Sequence, residues 1–196
     1  MDSTQDVLKQ LDDIHSSLVE SEKFMPYNYS VVIMWGVASI VMILFTQTLF
    51  EMNIAYGVIF LVSILGLGWI AEYLMTQKEN DKYEIDRYTK IQKFTESLFT
   101  FNVIFGILLS FILAEYGLVD YIYLVWVFLL TLSGYLAGFV LNSKLFLVHS
   151  KYSMVISLIL FVLTLFFNIT IFNQIFALLS LGFGYIYIGI RLKRKI

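Results

Sequence analysis

The chain has 196 residues, 59% of them hydrophobic and 14% charged, with a mean hydropathy of +0.80 and a formal net charge of −2. So little polar surface cannot cover a soluble domain of this size, and the composition predicts an all-α integral membrane protein. Cysteine is absent, which excludes disulfides, thiolate nucleophiles and thiolate-held metals.

The chain opens on Asp2 and Asp6 and stays polar to Lys23, unlike the basic, then apolar start of a signal peptide, so the N-terminus is expected to be retained and unacylated. Residues 1–26 are expected to form a cytosolic amphipathic helix in which Val7, Leu11, Ile14 and Leu18 make one heptad stripe. That stripe would lie against the chain's own cytosolic helix ends, or dock a protein partner or a second copy. Six acidic residues against two lysines disfavour an anionic lipid surface.

Pro26 separates this helix from six apolar runs at about residues 31–50, 54–75, 97–114, 121–141, 152–172 and 175–190. Each is about long enough to cross a hydrocarbon core of ~30 Å as a helix. The runs are continuous rather than alternating, as helices and not barrel strands require. Short connections at 51–53, 115–120 and 168–174 predict three antiparallel hairpins. The longer link, 76–94, carries Tyr88, Ile91 and Phe94 at helical spacing and is expected to extend the third helix into the cytosol.

All thirteen Lys and Arg fall before span 1, between spans 2 and 3, between spans 4 and 5, or after span 6. By the positive-inside rule both termini are cytosolic, in a multi-pass protein of the inner membrane. The lipid bilayer is the expected surrounding, and no nucleic-acid partner is expected.

A plan repeats along the even spans. Gly68 leads to Lys78, Gly134 to Lys144 and Gly184 to Arg194, each over ten residues. Three hairpins that start and end inside would be parallel repeats about an axis along the membrane normal. Trp35-Gly36 in span 1 is echoed by Phe105-Gly106 in span 3. This pattern resembles bacterial six-helix membrane proteins built of two-helix repeats, the HdeD-like acid-resistance proteins and their relatives. The resemblance implies an inner-membrane protein with a stress-related role and no catalytic residues to assign. The acidic N-terminal helix and the 76–94 link depart from the HdeD-like plan.

Gly134 and Gly138 form a small-xxx-small pair, and with Gly68 and Gly184 they are expected to line close helix contacts, within the chain or between copies. Glu72 follows Gly68 by one turn and breaks the repeat. A carboxylate there either reaches cytosolic water or a lysine, or forms a proton or cation site. Asn102, about two turns into span 3, is expected to bond across to another helix. Glu51, Glu115 and Asp120 are the only charges expected outside. His15 and His149, read as lying in separate cytosolic segments, make no metal site, and Ser133 has no catalytic partner in any apolar run. No cofactor is expected.

Elimination leaves a non-enzymatic regulatory or stress-response protein acting through its cytosolic face. The alternative is a small channel or transporter for a neutral or apolar solute or a proton, with Glu72 and Asn102 along a path between the hairpins.

Overall fold

The computed structural model describes residues 28–82, 90–167 and 169–194. The stripe of Val7, Leu11, Ile14 and Leu18, with the rest of 1–26, lies outside the described residues, as does the middle of the 76–94 link. Six helices follow in order: α1 (Tyr29–Met52), α2 (Ile54–Lys82), α3 (Lys90–Glu115), α4 (Ile122–Val140), α5 (Lys144–Thr164) and α6 (Thr170–Lys193), with a short 3-10 turn, Val119–Tyr121, leading into α4. All six are long and apolar enough to span a membrane. Among the described residues the chain is all-helical, and its six spans make it a multi-pass membrane protein. Its outer surface carries large apolar side chains such as Leu67 and Phe101, 68% and 67% exposed, as a lipid-facing wall does.

The helix ends are set by a few polar residues. The Asn28 side chain accepts from the Ser30 N–H, capping α1, and donates to the Met75 carbonyl of α2. Asn53 alone joins α1 to α2: its extended backbone ends the first helix and its Oδ1 accepts from the Ala55 N–H of the second. Helices α3 and α4 each end on a left-handed residue, Gly117 at φ +71° and Asn142 at φ +47°. The N–H just after that left-handed residue then folds back, Leu118 to the Leu113 carbonyl and Ser143 to the Gly138 carbonyl.

Boundaries in the last third differ from the sequence reading. Helix α5 starts at Lys144 rather than near 152, so His149 lies inside it and not in a connection. Lys144 and Lys151 read as loop, yet long basic side chains on a helix's first turns reach water while the backbone continues inward. The turn before α6 begins at Leu165, earlier than expected, and Leu165, Phe166 and Phe167 are apolar and carry the hydropathy across it.

Helix α1 is flanked by α2 and α6, and α4 by α3 and α5. Helices α2 and α3 meet less extensively, and α5 and α6 less still, so the third expected hairpin is not a packed pair. Glycine placement is the cause. Along α1 and α6, Ile33 seats on Gly189, Ile186 on Gly36 and Ile40 on Gly182 in one antiparallel register. A Cβ on Gly36 would come within 2.8 Å of the Gly182 carbonyl oxygen. Between α4 and α5, Gly134 and Gly138 receive Ser150, Phe146 and Leu147. The buried face of α5 is otherwise small, with Ser150, Ser153 and Ser157 at helical spacing.

Candidate functional site

Trp35 on α1 lies over Gly68 of α2, whose ideal Cβ would stand 2.5 Å from the indole ring. One turn further along α2, Glu72 accepts a 2.7 Å hydrogen bond from Trp35 Nε1. Gly68 and Glu72 therefore act together: the glycine admits the ring, and the carboxylate receives its N–H. The same device recurs between α3 and α4. Trp126 packs on Gly106, and its Nε1 donates to Ser110 Oγ at 2.9 Å, again four residues beyond the glycine. The difference is the acceptor, a carboxylate in one case and a neutral hydroxyl in the other.

Between α1 and α4 lies a line of three cavities. The central one is walled by Trp35, Ser39, Trp69, Glu72, Phe99 and Tyr185, among others, and about 50 Å³ of it is open to the centre of a water-sized sphere. That exceeds the ~10–15 Å³ needed to hold one water. The cavity toward the Glu51 end of α1, named outer for that position alone, is about 20 Å³ by the same measure, shares Ser39, Met42 and Leu130 with it and extends past Thr46, Tyr123 and Trp126. The inner one, also about 20 Å³, shares Trp35, Phe99 and Tyr185 and extends past Val32, Leu141 and Phe146. Among the described residues lining the central cavity, Glu72 is the only charged one.

Hydrogen bonds brace both ends. At the wall of the outer cavity, Tyr123 OH and Gln174 Nε2 both donate to the Ile43 carbonyl, joining α4 and α6 to α1. At the opposite end Lys193 Nζ donates to Ser30 Oγ. Tyr185 OH donates to the Leu130 carbonyl, which turns the tyrosine's hydroxyl toward α4 and leaves its ring as cavity wall.

Asn102 is buried and donates to Ser133 Oγ on α4 at 2.7 Å, and does not line the central cavity with Glu72. Gly184 receives the His149 ring rather than a helix backbone, and His149 Nε2 stands 3.1 Å from the Ser180 carbonyl in a π-helical turn, Leu178–Phe183. Since a carbonyl only accepts, Nε2 carries the proton there. Glu51, Glu115 and Asp120 lie at the end of the bundle away from Lys193. Val7, Leu11, Ile14 and Leu18 lie outside the described residues.

The sequence reading singled out Glu72 but missed its partners. Trp35 was noted only for its glycine neighbour, and Ser39, Trp69 and Phe99 looked like ordinary apolar-span residues. The signal in the chain is the pair Gly68-xxx-Glu72 and Gly106-xxx-Ser110, each matched by a tryptophan on the adjoining helix. Comparison with known protein families, curated proteins and solved structures finds no match for the chain.

Proposed function

We propose that this chain is a non-enzymatic membrane protein that takes a small, largely apolar solute into the cavities between α1 and α4, as a small transporter or channel does. The observation that carries the reading is the line of three cavities with shared walls and one carboxylate on the central wall. A chain folded only to be a scaffold gains nothing from aligned voids, since each one forfeits packing contacts. The regulatory reading through the cytosolic face rests on 1–26 and 76–94, and the cavities favour the solute reading over it. The resemblance to HdeD-like proteins enters as a proposed architectural relationship, whose trace is the two packed hairpins α1–α2 and α3–α4 with their matching tryptophan–glycine contacts. The proposed setting is the inner membrane, with the lysine- and arginine-rich end and both termini in the cytosol.

Two measurements test this. All three tryptophans wall the cavities, so their fluorescence should respond to a small uncharged probe, 3,3-dimethylbutan-1-ol. Ser39→Phe, at a side chain that walls two of the cavities, should abolish the response; an unchanged response in that variant would contradict the reading. For orientation, the cysteine-free chain accepts a single cysteine at Tyr116, which is 79% exposed in the α3–α4 connection. An impermeant thiol reagent should label it on intact cells, and labelling only after lysis would reverse the topology.

A further inference from the structure

Building on that reading, we propose that the occupant of the central cavity is a small organic cation, an alkylammonium whose charge meets Glu72 and whose apolar substituents meet the surrounding aromatic wall. The ring content of that wall is specific. Trp35 and Trp69 come from α1 and α2, Phe99 from α3 and Tyr185 from α6, so four helices each contribute one aromatic side chain around the same space. The negative face of an aromatic ring attracts a cation, most strongly for tryptophan, and more so where water is excluded.

The polar groups agree with this. Trp35 Nε1–H is directed to Glu72 and Tyr185 O–H to the Leu130 carbonyl, so these donors serve the protein rather than an anionic guest. Among the described residues that line the cavity there is no Lys, Arg or His to receive an anion, and Glu72 is the one that carries a charge. The hydrogen bond from Trp35 also fixes where the carboxylate stands: Gly68 admits the ring, the ring holds Glu72, and Glu72 borders the cavity. The corresponding device on α3 and α4 ends in Ser110, outside the cavity walls, and carries no charge. A quaternary or tertiary ammonium with short alkyl groups satisfies both features, whereas a metal cation would need several oxygen ligands that the aromatic walls do not supply.

The test uses an isosteric pair, choline and the uncharged 3,3-dimethylbutan-1-ol, with tryptophan fluorescence of the full chain in lipid nanodiscs. Glu72→Gln keeps an acceptor for Trp35 Nε1 while removing the charge. Choline affinity should fall at least about tenfold in Glu72→Gln, and the affinity for the alcohol should stay within about twofold. If both probes weaken equally, or choline is unaffected, the cation assignment is overturned while the solute-cavity reading stands. If neither probe binds the wild-type chain, both fall. Should Glu72→Gln fail to accumulate, the wild-type preference decides: choline must bind more tightly than the alcohol, and an equal or reversed order rejects the proposal.

Discussion

Gly36→Leu is expected to separate α1 from α6 and leave a chain that no longer folds stably, at a loss of more than about 3 kcal/mol. The reason is backbone proximity. A Cβ at Gly36 would stand 2.8 Å from the Gly182 carbonyl oxygen and 2.9 Å from the Ile186 nitrogen, and neither atom belongs to a side chain that can swing aside. Helix α6 must retreat as a whole, unseating Ile33 from Gly189 and Ile40 from Gly182. Even Gly36→Ala should lose about 1–3 kcal/mol. Gly66 supplies the control, since it lies within α2 with nothing within 4 Å of its ideal Cβ. Gly66→Ala should be neutral or gain up to ~1 kcal/mol from helix propensity. Thermal unfolding followed by circular dichroism in detergent measures all three, and equal effects at Gly36 and Gly66 would refute the packing account.

Trp35→Phe should destabilise by about 2 kcal/mol, because a charged acceptor loses its donor, whereas Trp126→Phe should lose about 1 kcal/mol, since Ser110 is a neutral acceptor. The two sites share a layout, a tryptophan ring over a glycine and an acceptor one turn on, with the Ser110 bond buried and the Glu72 bond part-buried. The chief chemical difference between them is the carboxylate. A double-mutant cycle of Trp35→Phe with Glu72→Ala, which removes the acceptor altogether, should show coupling, and Trp35→Phe with Ser110→Ala should be additive. Gly68→Ala belongs to the same series, because its Cβ displaces the indole and breaks the bond to Glu72 indirectly. Additivity of Trp35 with Glu72 would mean that the hydrogen bond contributes nothing.

Much of the fold was legible from hydropathy. Spans 1 to 4 fall where the apolar runs lie, and Asn53 and Gly117 mark turns that composition already suggested. The end of α5 was not legible, because Leu165 to Phe167 keep the turn as apolar as a span. The pairing of helices was also hidden. Short connections argue that neighbours in sequence pack together, as α4 and α5 do, yet the glycines of α6 match the isoleucines of α1. Such complementarity links residues about 150 positions apart, as Ile33 and Gly189 are, and leaves no local pattern. At the site, Glu72 stood out because an ionisable group inside an apolar run is rare. Its aromatic neighbours did not, since one tryptophan or phenylalanine per span is ordinary in any membrane helix.

The claim that holds the rest together is that the space between α1 and α4 admits a solute from water. Ser39, 2% exposed and shared by the central and outer cavities, reports on it directly once replaced by cysteine in this cysteine-free chain. Ser110, equally hidden but packed against Trp126, is the matched control. N-ethylmaleimide should modify Ser39→Cys in the folded protein in nanodiscs, 3,3-dimethylbutan-1-ol should slow that reaction, and Ser110→Cys should stay unmodified. A Ser39→Cys chain as inert as Ser110→Cys would mean that the cavities are sealed voids, and would contradict the account.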